Sequence, residues 1–181
     1  MSVHENYYSE VISACDTVGV GITFQCLYIS VTEQRIYFYN EARLESIYEI
    51  SMAIKGVNQI QDSEGTPLGL HKIADKIGEG VPWGTVFMGR KSTGKIFTEY
   101  DDWETRGYVT SRILRLKGLQ DGYNSGGNCD TYGRYIYIHG ITNEKKVGTP
   151  CTRGCIGMRN GDVIELFPKI ASGSLVLIGE K

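Results

Sequence analysis

RYIYIHGI, residues 134–141, alternates at the period of a β-strand and is the clearest strand in the chain. It ends on His139-Gly140. Upstream, RILRLK (112–117) alternates polar and apolar residues as a half-buried strand does, and the Gly/Asn/Asp-rich stretch 118–133 between them reads as loop. Further out, CLYISV (26–31) and RIYFYN (35–40) are β-branched and aromatic and flank a short polar turn, so they predict a hairpin. SIYEISMAI (46–54), the stretch from Leu68 to Ile77 and SLVLI (174–178) predict further strands, with a polar loop from Gly56 to Gly65. Residues 78–111 have weak periodicity and read as short strands within a long excursion, a lid or a substrate wall.

Two helices are expected. In residues 5–18, Tyr8, Val11, Ile12, Cys15 and Val18 share one helical face, and Gly19 and Gly21 end it. In residues 160–170 (NGDVIELFPKI), Asn160 is placed to cap, with Asp162 and Glu165 in the first turns. The fold class is therefore mainly β with few helices, one domain over residues 26–179 behind an N-terminal helical extension over 1–25.

The 181 residues suffice for a hydrophobic core without metal or disulfide staples. A net charge of −2 offers no basic field for nucleic acid or an anionic membrane, and no apolar run is long enough to span one. The start, MSVHENYYSE, has neither the basic nor the apolar stretch of a signal peptide, so the expected location is the cytoplasm, or the periplasm or cell envelope if a native leader was removed. Five cysteines at irregular spacing make a poor disulfide framework. No cofactor is implied. A zinc site of Cys129, Cys151, Cys155 and His139 is an alternative, but Cys-x-x-x-Cys is an unusual zinc spacing and no second paired motif accompanies it.

Chemistry concentrates in two segments. Tyr137-Ile138-His139-Gly140 ends a strand, and Thr152-Arg153-Gly154-Cys155-Ile156 precedes a helix. A cysteine attacks as its thiolate and needs a group that takes its proton. A histidine on a strand end has a fixed backbone and can be aimed at that thiol. Gly154 lets a substrate carbonyl approach the main chain, where the Gly154 and Cys155 amides are placed to donate to an oxyanion. After His139, the nearest group to orient the base is a main-chain carbonyl such as that of Gly140. A packing role for each residue stands beside this reading.

These residues resemble the L,D-transpeptidase catalytic domain, the YkuD-type family of bacterial cell-wall enzymes. The family pattern is an I-H-G strand end, a loop, then S/T-H-G-C-I-R-M and N-x-D. Here it reads Ile138-His139-Gly140, Thr152-Arg153-Gly154-Cys155-Ile156-Gly157-Met158 and Asn160-Gly161-Asp162. Tyr28-Ile29-Ser30-Val31, Ile36-Tyr37-Phe38-Tyr39, Thr66-Pro67-Leu68-Gly69 and Thr110-Ser111-Arg112-Ile113-Leu114 match further landmarks in order. The resemblance implies a β-sandwich domain whose thiolate attacks a peptidoglycan stem tetrapeptide at the third, diamino-acid residue and releases terminal D-Ala. An amine or water then resolves the acyl-enzyme, as L,D-transpeptidase or L,D-carboxypeptidase. It implies Cys155 as nucleophile, His139 as base, Gly140 as the orienting carbonyl and Gly154 in the oxyanion turn. It also implies stem peptides or muropeptides as partners and carbapenems as acylating inhibitors.

Two positions depart from the pattern. Arg153 stands where the family has histidine, and Gly157 where it has an arginine that helps to hold substrate carboxylate. Arg153 and Arg159 are the candidates to replace that charge, Arg153 also to favour the thiolate, and Thr152 completes the expected substrate-side set. The competing reading is a catalytically silent module that binds cell-wall fragments.

Overall fold

The computed structural model describes residues 3–97 and 108–181, with side chains from Tyr7 onward. In chain order the elements are α1 (Val3–Val18), β1 (Gln25–Ser30), β2 (Arg35–Asn40), β3 (Arg43–Ser51), β4 (Gly69–Ile77), β5 (Thr85–Met88), β6 (Lys91–Ile96), β7 (Val109–Gly118), β8 (Tyr137–Ile141), β9 (Ile156–Met158), α2 (Asn160–Lys169) and β10 (Leu175–Gly179). Short 3₁₀ turns lie at Gly127–Cys129 and Glu144–Lys146.

The strands form one sheet in the order β4-β10-β1-β2-β3-β9-β8-β7-β5-β6, and β4 also pairs with β7. Eight strands thus close on themselves, and the faces of the expected sandwich belong to one continuous sheet. Among the described strand pairs, only β1–β10 and β8–β9 run parallel. The strand period of two explains the interior. Leu27 and Ile29, Ile36 and Phe38, Leu114 and Leu116, and Ile156 and Met158 all point into one core cluster. Val163, Leu166 and Phe167 of α2, one helical face against β7 and β8, complete it with Ile170 just after the helix. Each such side chain contributes about 1.5–3 kcal/mol on burial. Lys76 on β4 donates to the Phe167 and Ile170 carbonyls, both at 2.7 Å, and so ends α2.

The opposite face is used as well. Tyr7, Val11 and Cys15 of α1 pack on Cys26, Tyr28, Tyr37 and Tyr39, with the Tyr7 and Tyr28 rings stacked at 4.3 Å. The N-terminal helix therefore shares a core with the sheet.

The mainly β domain with its short N-terminal helix is as expected, with four local differences. β9 went unrecognised because three residues carry no readable period. The first residues of RYIYIHGI form a turn, with Tyr135 at φ 58°, and the strand begins at Tyr137. Strand β7 begins at Val109, within the expected excursion, and Ser111 sits at a bulge with φ 61°. The α2 cap position is Arg159 and carries no side-chain cap, because the Asn160 side chain is engaged elsewhere, as described below. Of the excursion, residues 98–107 lie outside the described residues. Its hairpin β5–β6 extends from the start of β7 and brings Phe87 against Ile113, Tyr137 and Cys155.

Candidate active site

Strands β8 and β9 run side by side with Ile138 opposite Ile156 and His139 opposite Gly157. Because Ile138, Ile156 and Met158 point into the core, alternation turns Tyr137, His139, Cys155 and Gly157 to the other face. The sequence places His139 and Cys155 16 residues apart. The parallel register makes them diagonal neighbours on one surface.

His139 is 5% exposed, and its Nδ1 lies 2.8 Å from the Gly140 carbonyl. A carbonyl only accepts, so Nδ1 carries the proton and Nε2 keeps the lone pair of a base. Burial pushes the imidazole down to about 4, so it stays neutral at ordinary pH. Cys155 is half-buried against Tyr137, Phe87 and Ile113, and its thiol donates to the Tyr135 carbonyl at 3.5 Å. Burial pushes that thiol up to about 11. A thiol pushed up and an imidazole pushed down thus rest side by side, both neutral at ordinary pH.

The orienting carbonyl is itself locked. A Cβ on Gly140 would lie 2.5 Å from Asn160 Oδ1 and 2.7 Å from the Thr110 carbonyl. Asn160 is fully buried. Its Nδ2 donates to the Ile141 carbonyl at 2.9 Å, and its Oδ1 accepts from Thr110 Oγ1 at 2.7 Å and from Ser111. Glu144 Oε1 receives both the Asn160 N–H at 2.7 Å and its Nδ2 at 2.8 Å, a carboxylate at the positive end of α2. The bulge at Ser111 thus serves to aim two hydroxyls at one amide. Local sequence reading gives Asn160 only a capping role and misses Glu144, because the partners of Asn160 lie on β7 and β8 and those of Glu144 on α2.

Gly154 adopts φ 109°, which favours glycine, and a Cβ there would lie 3.1 Å from both the Gly65 carbonyl and Ile136 Cδ1. Among the described residues, neither the Gly154 nor the Cys155 N–H has an acceptor, so both are free to meet an oxyanion. Thr152 Oγ1 donates to the Cys155 carbonyl at 2.6 Å and holds the turn closed. Its main chain exchanges bonds with Met52 and Ile54 at 3.1 Å each.

The expected cations are distributed differently. Arg153 is exposed, and its charge acts on Glu64, which pairs with Lys55 at 2.8 Å. The cation acting on Cys155 is Arg134, and burial outweighs it. Arg134 reaches the Asn58 and Gln59 carbonyls at 3.0 and 2.8 Å and the Gly65 carbonyl at 2.7 Å. It binds the 56–65 loop behind the Gly154-Cys155 turn. Arg159 is engaged by Glu49 at 2.7 Å and by Asp162 at 3.7 Å. At Gly157 a Cβ would meet Ile141 Cγ2 at 2.7 Å, so Ile141 occupies the place where a larger residue would begin. Arg134→Gln is expected to lower the rate of Cys155 alkylation by iodoacetamide at fixed pH roughly 3- to 10-fold, with partial recovery in Arg134→Lys. An unchanged rate-against-pH curve would remove Arg134 from this role.

Among the described residues no group of three or more His, Cys, Asp or Glu is arranged to hold a metal ion, and no helix is long and apolar enough to cross a membrane.

Comparison with known proteins speaks to the family and the fold. A model of the L,D-transpeptidase catalytic domain matches residues 25–178. The Bacillus subtilis (strain 168) protein named "Putative L,D-transpeptidase YkuD" is 33% identical over 87 residues, 48% of this chain and 49% of that protein. The crystal structure of L,D-transpeptidase 3 from Mycobacterium tuberculosis in complex with a faropenem-derived adduct superposes with a TM-score of 0.54 at 12% identity, covering 87% of this chain and 60% of that one. An Enterococcus faecium L,D-transpeptidase mutant superposes with a TM-score of 0.54 at 13% identity over 87% of this chain and 50% of that one. At such identities the structures speak to the fold. The chain matches about half of the curated relative's length and about half to three fifths of these structures.

Proposed function

This chain belongs to the L,D-transpeptidase catalytic-domain family, and we propose that it is a cysteine acyl-transfer enzyme acting on peptidoglycan stem tetrapeptides. The observation that carries the proposal is the shared face of β8 and β9. It sets a buried imidazole, with Nδ1 committed to the Gly140 carbonyl, beside Cys155 and two amides free of acceptors.

The chemistry follows from that arrangement. Nε2 of His139 removes the Cys155 proton as Sγ attacks the carbonyl of the third, diamino-acid residue. The Gly154 and Cys155 amides receive the negative charge that develops on the carbonyl oxygen. As the tetrahedral intermediate collapses, His139 returns the proton to the departing amine, terminal D-Ala leaves, and a thioester remains on Cys155. An amine attacking that thioester forms a cross-link, and water attacking it completes an L,D-carboxypeptidase reaction. Because both steps pass through one thioester, the acceptor decides between transferase and hydrolase. Imipenem, present in the structure of the LD transpeptidase LdtMt1 whose fold this chain shares, is expected to acylate the same sulfur.

The test is mass spectrometry of tetrapeptide products with and without an amine acceptor, on the wild type and on Cys155→Ala. Release of D-Ala with a cross-linked dimer identifies a transpeptidase. Tripeptide alone, with or without amine, identifies the carboxypeptidase. Both must vanish in Cys155→Ala. Binding of muropeptides without D-Ala release or an adduct would overturn the enzyme reading in favour of a wall-binding module.

A further inference from the structure

Position 90 carries an arginine where the backbone favours glycine or asparagine. The β5–β6 turn pairs Met88 with Lys91, so its two central residues are Gly89 and Arg90, at φ 53° and φ 67°. A two-residue hairpin with both central φ values positive ordinarily takes Asn-Gly or Gly-Gly. A non-glycine residue there is a departure whose reason must lie outside the turn.

The side chain supplies one. Arg90 Nη1 donates to Tyr137 Oη at 3.2 Å, and its guanidinium lies 4.7 Å from the centre of the Tyr135 ring. Both tyrosines border the nucleophile. Tyr137 packs in the same small cluster as Cys155, and the Tyr135 carbonyl accepts from Cys155 Sγ. The guanidinium is half-exposed, so it stands at the solvent edge of the Cys155 site. A guanidinium has five N–H donors, and among the described residues Arg90 has no carboxylate partner.

Two other arginines near the site are committed. Arg134 is bonded into the 56–65 loop and Arg159 pairs with Glu49 and Asp162, whereas Arg153 is exposed and has no ion pair among the described residues. Position 157 has no side chain. We propose that Arg90 receives a substrate carboxylate beside Cys155 and so selects acyl donors that carry a free carboxylate close to the scissile carbonyl. Tyr137 holds the guanidinium in place through its hydroxyl, and the open donors of the planar fork face the incoming anion. In a stem peptide this carboxylate comes either from the leaving terminal residue or from the side chain of the diamino acid. The peptide form of the inference rests on the function proposed above, whereas anion recognition at Cys155 does not.

Two measurements separate those levels. The first compares alkylation of Cys155 by iodoacetate, an anion, with that by iodoacetamide at low salt, read by peptide mapping so that Cys151 is counted apart. Arg90→Gln is expected to lower the iodoacetate-to-iodoacetamide rate ratio roughly 3- to 10-fold. Arg90→Lys, which keeps the charge, keeps most of the wild-type ratio, and Tyr137→Phe, which loosens the guanidinium but leaves its charge, lowers the ratio less than Arg90→Gln does. An Arg90→Gln ratio equal to that of the wild type overturns the proposal.

The second compares kcat/KM for a tetrapeptide with a C-terminal acid against its C-terminal amide, and for a carboxylate-bearing diamino acid against lysine at the third position. The wild type is expected to prefer the acid form in one of these pairs by about 10-fold or more, chiefly through KM, and Arg90→Gln to lose that preference. The pair that responds identifies the carboxylate. Turnover with no acid preference in either pair overturns the substrate form of the inference. An altered alkylation ratio with no turnover of any peptide by the wild type keeps the anion site and removes the proposed function.

Discussion

Replacing His139 by glutamine is expected to slow acylation of Cys155 by about 10²–10⁴-fold, the range associated with loss of a general base. Glutamine can still donate an N–H toward the Gly140 carbonyl, so the local hydrogen bond is retained, but it has no basic nitrogen. The effect is large because the resting thiol is neutral. With Cys155 pushed up to about 11, very little thiolate exists at neutral pH to react without help. A resting thiolate–imidazolium pair would require the opposite shifts. His139 stays neutral down to about 4, so the protonation state needed of a base is already present across the physiological range. The measurement is the second-order rate of adduct formation with imipenem, followed by mass, for the wild type, His139→Gln and His139→Ala. Circular dichroism and urea midpoints report whether each variant is folded. A folded His139 variant acylated within tenfold of the wild-type rate would remove His139 from the base role.

Acidification is expected to unfold the protein at a pH where its carboxylates are still largely ionised. His71 is fully buried, with Nδ1 2.9 Å from the Gly69 carbonyl and Nε2 3.1 Å from Thr131 Oγ1, and burial pushes it down to about 4. His139 behaves alike. Both folded-state values lie below the unfolded 6.5, so between about 6.5 and 4 the unfolded chain binds more protons than the native state. Stability is then fully present above the unfolded value and is lost as pH falls toward the folded one. Each histidine accounts for about 3 kcal/mol over that window, a large share of the 5–15 kcal/mol that holds a typical domain. Urea midpoints taken in steps from neutral to mildly acid pH should fall steadily in the wild type. In His71→Gln, which keeps a donor for the Gly69 carbonyl, the dependence should be about half as steep. Equal midpoints across the window would mean that the two histidines are not buried as neutral groups.

The legible and illegible parts of the site differ in the distance over which their causes act. The strand that carries His139, the glycine before Cys155 and the β-rich class all show in local composition, because alternation and backbone freedom are properties of a few consecutive residues. The pairing of those segments with the family pattern singled out the candidate reactive residues, and the structure brings His139, Gly140, Gly154 and Cys155 together at one end of β8 and β9. The cations were less legible. Arg153 and Arg159 drew notice by adjacency to Cys155 in the chain. Arg134 and Arg90 border it in space, because one precedes the β8 strand and the other tops a hairpin folded against Tyr137.

Asn160 is a further instance. As a sequence letter before a helix it reads as a cap, but in the fold it receives two hydroxyls from a bulge some 50 residues away and holds the end of the His139 strand.

By itself, the sequence singled out the residues proposed to react, since a candidate nucleophile, base and backbone turn are chemical identities written into short segments. It also determined the β-rich class, because hydrophobic period is local. Only the tertiary structure decided the charge states of that pair, which cation faces the thiol and which one faces the solvent. Burial and electrostatic neighbourhood arise when strands distant in the chain close into one sheet, and no short segment contains that information.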